Sequence, residues 1–262
     1  MTIYRKELKQ SIKSFCIWTA SIAFMVLICI MIFPEMKNEM DSMSNLFSNM
    51  GSFTTAFGMD KLNFGDLMGF YGIESGNIIG LGGGFFAALI GISALAKEER
   101  EHTAEFLLTH PVSRASVVSQ KLISVMTQLI IMNVTIVLIS LLSSKIINES
   151  FQMKEFLLLH LAFLIMQIEI ACICFGISAF IKHGSIGIGL GIALALYFAN
   201  IICNISEQAE FLRYITPYAY AEPSNILTEA TLDIKLLIPG ILYAITGIII
   251  AYIKYTKKDI NS

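Results

Sequence analysis

Six stretches of this chain, 15–33, 76–96, 122–142, 156–181, 185–203 and 236–253, are nearly unbroken runs of apolar residues. A run of about 18 residues or more is long enough to cross the hydrocarbon of a bilayer as a helix. In lipid a helix also satisfies its own backbone polar groups, which an open sheet or a loop cannot do. The chain is 55% hydrophobic and 15% charged, with a mean hydropathy of +0.70. That leaves too few solvating groups for a soluble surface of this size. The sequence therefore predicts an all-α membrane protein, a single unit over 1–262 with six transmembrane helices.

The flanks of these runs refine the prediction. Over 1–14, Tyr4, Leu8, Ile12 and Phe15 recur at helical spacing with Arg5, Lys6, Lys9 and Lys13 between them, the pattern of an N-terminal interfacial helix. The first run follows this basic segment as a secretory signal would. It is about 19 residues long, however, and no small-x-small site precedes Pro34, so it reads as a retained span.

Six spans put both termini on one side. That side would hold Arg5, Lys6, Lys9, Lys13, Lys97, Arg100, Arg114, Lys121, Lys182, Lys254, Lys257 and Lys258, twice as many cations as the other (Lys37, Lys61, Lys145, Lys154, Arg213 and Lys235). Positive residues mark the cytoplasmic side, so the termini are expected there, in a plasma membrane.

The loop over 34–75 is rich in methionine. Met36, Met40, Met43, Phe47 and Met50 recur at helical spacing among Lys37, Glu39 and Asp41. Three readings fit: packing on the bilayer or assembly, a contact surface for an amphipathic substrate, or thioether ligation of a soft metal. No metal site is expected, since Cys16, Cys29, Cys172, Cys174 and Cys203 lack zinc spacing and read as apolar packing residues. Gly51, Gly58, Gly65, Gly69 and Gly72 suggest turns and irregular backbone. The last loop, 204–235, carries Phe211, Tyr214, Tyr218 and Tyr220, aromatic rings suited to headgroup depth, with Pro217 and Pro223 as breakers and short interfacial or re-entrant helices as the expected form.

Inside the spans, Gly76, Gly80, Gly84 and Ala88 recur every fourth residue, as do Gly83, Ala87 and Gly91, and Gly187 and Gly191 form a G-x-x-x-G pair. Such spacing lets helix backbones approach closely in lipid. No GxxxxGK[ST] phosphate loop is present, so neither a nucleotide site nor a catalytic group is expected in this chain. Gln128, Asn133, Gln167, Glu169 and Asn200 lie within the runs and are the candidates for a substrate path. Glu169 facing lipid would be costly, so it should face the interior, be protonated, or hydrogen-bond a polar neighbour such as Gln128 or Asn133. A structural clamp and a role in transport both remain open for it.

Between spans two and three lies the densest run of charge, 97–121. Glu98, Glu99, Arg100, Glu101 and Glu105 are good helix formers, Thr103, Phe106, Leu107 and Leu108 add an apolar patch, and Pro111 ends the helix at His110. Ser113 or Ser116 can cap the next helix. The short helix could grip a cytoplasmic partner through its apolar residues, or it could pack on headgroups. Both readings satisfy its charge pattern. Lys182 and His183 form a second, tighter hairpin on the same side.

The segment Glu99-Arg100-Glu101, Thr103, Glu105, Leu107-Leu108, Pro111-Val112-Ser113-Arg114, Lys121 resembles the signature of permeases of the second type of ATP-binding-cassette exporter. The basic first helix, the six spans and Thr216-Pro217-Tyr218 extend the resemblance along the chain. His102 stands where family members often have Gly, and the Met-rich loop is not general. The resemblance implies a coupling helix at 97–110 that docks on two separate ATPase subunits, which would bind ATP and Mg. It also implies pairing with a second permease copy or homologue. Cargo would be an amphipathic, antimicrobial or toxin peptide, or a hydrophobic drug, exported across a bacterial cell membrane; membrane lipid is a further partner and nucleic acid is not expected as one. Two rivals come from other classes. A stand-alone secondary transporter would rely on Glu169. An intramembrane protease would need a catalytic set that Glu98, Glu99 and His110 match poorly.

Overall fold

The computed structural model describes residues 2–38, 51–59, 61–97, 113–181 and 186–257. Among the described residues six helices are long and apolar enough to cross a membrane, and there is no strand. The spans are α1 (Thr2–Asn38), a composite of α3 (Leu67–Asn77), a π-helical turn (Ile78–Gly82) and α4 (Gly83–Ser93), then α5 (Arg114–Ile146), α6 (Met153–Ser178), α7 (Ile186–Ile205) and α9 (Ile234–Lys257). Shorter helices are α2 (Ser52–Ala56), a 3-10 turn (Glu207–Tyr214) and α8 (Pro223–Glu229).

The bundle has two distinct ends. At one, the start of α1 meets the start of α5: the Tyr4 N–H donates to Gln120 Oε1 at 3.3 Å, and Lys121 Nζ donates to Glu7 Oε1 at 3.0 Å. The tail of α9 joins them there through Arg114, whose guanidinium donates to Thr256 O at 3.2 Å. At the other end Lys37, near the end of α1, pairs with Glu149, just past α5, at 2.6 Å. So α1 and α5 run parallel along their whole length. We call these the terminal end and the loop end.

The centre of the bundle is the α3–α4 span and α6. Each has 61% of its most apolar window buried, against 22% for α7 and 17% for α9. Glycine makes this centre tight. A Cβ on Gly91 would strike Ala171 O of α6, and one on Gly176 would stand 2.7 Å from Gly247 O of α9. Backbones this close gain dispersion contact that larger residues would prevent.

The basic 1–14 segment, expected as an interfacial helix leading into the first span, forms the first part of an unbroken 37-residue helix, with Ile3 buried. Two predicted details are corrected. The second span begins at Leu67 rather than Gly76, because Leu67, Phe70 and Tyr71 are buried and Phe33 of α1 packs on Phe70 with centroids 5.4 Å apart. Gly69 and Gly72 are therefore helical packing positions rather than turns: a Cβ at the first would strike Asn63 O, and at the second would stand 2.6 Å from Leu227 Cδ1. Finally, Tyr218 and Tyr220 are buried, whereas Phe211 and Tyr214 stay exposed. The methionine-rich stretch lies mostly outside the described residues: α1 covers Met36, while Met40, Met43, Phe47 and Met50 fall beyond it.

Candidate functional site

The predicted docking helix falls outside the described residues, which exclude Glu98, Glu99, Arg100, Glu101, Thr103, Glu105, Phe106, Leu107, Leu108 and Pro111, and likewise Lys182 and His183. Its flanks are described. On the entry side, Lys97 Nζ donates to Gln10 Oε1 of α1 at 2.9 Å. On the exit side Ser113 caps α5, its hydroxyl accepting the Ser116 N–H at 3.2 Å, as its position after Pro111 predicts. Arg114 follows, tied to α9.

About two turns into α5 comes Lys121, the last residue of the signature, 1% exposed. Its ammonium donates to Ala94 O at the end of the α3–α4 span (2.7 Å) and to Glu7 (3.0 Å). A buried ammonium is stable only when paired and hydrogen-bonded, and both conditions hold. Lys121 thus closes the two ends of the 97–121 segment onto each other and onto α1.

The five polar candidates in the spans are not brought together into one path. Asn133 Nδ2 donates to Gln167 Oε1 at 2.6 Å, and Gln167 Nε2 donates to Ile79 O in the π-helical turn at 3.4 Å. Ile79 O also accepts from the Gly83 N–H, so the same oxygen is shared between the helix and the amide from α6. Gly83 is glycine because any Cβ there would collide with Gln167 Nε2.

Glu169 takes the buried interior position that was one of its expected placements; its partner is neither Gln128 nor Asn133 but Tyr220, which donates to its Oε2 at 2.8 Å. The opposing helix presents Gly240, one residue after Pro239, where a Cβ would collide with that same oxygen. Asn200 Nδ2 donates to Glu222 Oε2 at 2.7 Å, joined by Asn204 Nδ2 at 3.3 Å. Gln128 stands apart and lines a cavity at the terminal end.

Sequence reasoning passed over several residues. Glu222 is buried at the start of α8, and that burial pushes its carboxyl above the ordinary range, against the bonds from Asn200 and Asn204 and the charges of Lys61 and Arg213, which lower it. Near the loop end Tyr71 Oη lies 2.9 Å from both Ser140 Oγ and His160 Nε2, walled by Phe151 and Phe156. Isolated Tyr, Ser and His residues on different spans carry no spacing that would announce this contact. Glu222 sits in a Pro-flanked loop, where an acidic residue reads as solvated.

The described residues contain no group of three or more His, Cys, Asp or Glu able to hold a metal ion. What they contain is a set of polar ties between spans, together with stiff flanks around the charged segment. Residues 1–260 match the family described as ABC-2 family transporter protein. No curated protein matches the chain.

Proposed function

The chain belongs to the ABC-2 transporter family and is a multi-pass membrane component of that transport system, and from that premise we propose that it is the permease subunit of an exporter. Two separate ATPase subunits would bind ATP and Mg, and they would grip the cytoplasmic helix over 97–110 through Phe106, Leu107 and Leu108. Glu98, Glu99, Arg100, Glu101 and Glu105 would set its orientation. Lys182 and His183 would form a second contact on the same face. Both termini would lie in the cytoplasm, and a second permease copy would complete the pathway for an amphipathic peptide or apolar drug.

The observation that carries this reading is Lys121. Force applied to a docked helix moves spans only if the ends of that helix are stiffly attached. Lys121 ties the exit span to the entry span at Ala94 and to α1 at Glu7, while Arg114 ties it to α9. A solvated hairpin lying on headgroups would need none of these ties.

The test is co-purification. The tagged permease should retain a stable ATPase partner, and F106D/L107D should lose it while still inserting in the membrane. Unchanged association would remove the docking role, and transport that survives mutation of the partner's phosphate-binding lysine would remove the ATP-driven reading altogether.

A further inference from the structure

The α3–α4 span is one of the two most buried in the bundle, yet it turns a carboxylate outward. Glu74 lies on α3, seven positions after Leu67, and is exposed. Cys29 of α1 is close enough to feel its charge. Cys29 stands six residues before Glu35, the first charge met toward the loop end of α1. Six helical residues span about 9 Å. The carboxyl therefore sits inside the apolar part of the bundle, beneath that charged belt.

Lipid does not suit this position. A carboxylate facing hydrocarbon is costly, and charges within spans face a bundle interior or a water-filled path. Glu169 obeys that rule by burial and by its bond from Tyr220. Glu74 is exposed, and among the described residues its carboxyl has neither a hydrogen bond nor an ion pair. At the same end Lys37 is paired with Glu149, and Lys61 donates to Asn225 Oδ1 at 3.2 Å. Residues 39–50 carry no Lys, Arg or His. A counter-charge therefore has to come from outside the chain.

The surroundings of Glu74 are apolar. Further along its span Leu81, Phe85 and Leu89 are half-buried, and on α1 Met25 and Ile32, either side of Cys29, are exposed. The span is bordered by α7, whose Tyr197 Oη donates to Asn77 Oδ1 at 3.2 Å. One carboxylate above an apolar surface complements a cation carried on an apolar body.

We propose that this face, with Glu74 as its anionic point, receives the cationic group of an amphiphilic cargo. The inference rests on the permease reading and narrows it: the cargo is a cationic amphiphile, and the second copy closes the path over Glu74. An ammonium or guanidinium pairs with the carboxylate while the apolar side chains take up the body.

Cys29 supplies a reporter beside the carboxylate. The permease with its ATPase, in phosphatidylcholine vesicles, is treated with a trimethylammonium or a sulfonate methanethiosulfonate. Labelling of Cys29 is followed by mass spectrometry, each rate divided by that of a small free thiol. The cationic reagent should react about three- to tenfold faster, as an unpaired charge nearby in water-like surroundings requires. Glu74→Gln should remove that advantage, and Glu74→Asp should keep it. In ATP-driven uptake by inside-out vesicles, an amphipathic Leu/Lys peptide should outrun its Leu/Glu counterpart. Glu74→Gln should lose that preference, with thermal melts matching wild type.

If Cys29 reacts with neither reagent, the face is covered and the proposal is overturned; a ratio unchanged in Glu74→Gln overturns it equally. Equal rates in wild type, with the dimer weakened in Glu74→Gln, would make the residue a tie between copies instead. Labelling needs no ATP. A charge-dependent ratio with neither peptide exported would therefore count against export and leave the cation site in place.

Discussion

Tyr220 leaves the loop end of the bundle to donate a 2.8 Å hydrogen bond to Glu169 Oε2, and the other oxygen of that carboxyl is buried without a partner. Glu169 is therefore held between a loop residue and the glycine surface of α9 at Gly240. That arrangement favours a clamp joining α6, α9 and the final loop over a group that moves with each transport cycle. Tyr220→Phe should cost about 1–3 kcal/mol, since it strands both carboxyl oxygens in an apolar setting. A lowered thermal midpoint in detergent checks this. Glu169→Gln keeps an acceptor for Tyr220 and should retain transport across a pH series; loss of transport in a variant with wild-type stability would instead give Glu169 a place in the pathway.

The crossing of α6 and α9 rests on backbone contact, with Gly247 O 2.7 Å from where a Gly176 Cβ would stand. Gly176→Ala must push the helices apart or bend one of them. Overpacking of this kind costs about 1–3 kcal/mol. Gly191→Ala makes the contrast, because nothing lies within 4 Å of its ideal Cβ. Thermal melts of the two variants should separate clearly, and equal midpoints would refute the crossing.

That pair of glycines shows where sequence stops being informative. The number of spans was legible because apolar length is a one-dimensional property, and bilayer thickness converts it into helix count directly. Which small residues meet another backbone depends on how each helix is rotated, and the sequence does not fix that angle. The G-x-x-x-G pair of Gly187 and Gly191 had the right spacing, yet Gly189 between them is the buried one, its would-be Cβ 3.0 Å from Ala88 O. The polar candidates were legible as buried, since charge or amide in lipid must find a partner. The partners themselves came from loops read as interfacial, Tyr220 for Glu169 and Glu222 for Asn200. Such pairings join residues 51 and 22 positions apart, and no local pattern encodes them.

Glu222 makes a prediction about pH. Burial raises its carboxyl above the ordinary range, so the fold favours the protonated form. The sign follows from linkage: this contribution to stability is complete below the unfolded carboxylate value and is lost as pH rises through the raised folded value. The groups that face it are Asn200 and Asn204, with Lys61 and Arg213 as the nearby charges. Glu222→Gln keeps an acceptor for both asparagines and cannot ionise. The difference in thermal midpoint between wild type and Glu222→Gln should therefore move in favour of the variant as pH rises through that window. A flat difference would contradict it.

Lys121 and Glu7 make the strongest mechanical claim. Removing one partner of a buried pair leaves an uncompensated charge and typically costs about 3–5 kcal/mol, whereas replacing both with apolar residues can be nearly neutral. Glu7→Met keeps Lys121 bonded to Ala94 O, so it should be the milder single change; Lys121→Met loses both bonds. Lys121→Met/Glu7→Met should recover part of the thermal midpoint lost by Lys121→Met alone. If the tie transmits force, that double variant should still bind the ATPase and yet hydrolyse ATP with transport reduced at least severalfold. Recovery of stability together with full transport would reduce the pair to a structural one. Recovery without transport would assign it to coupling.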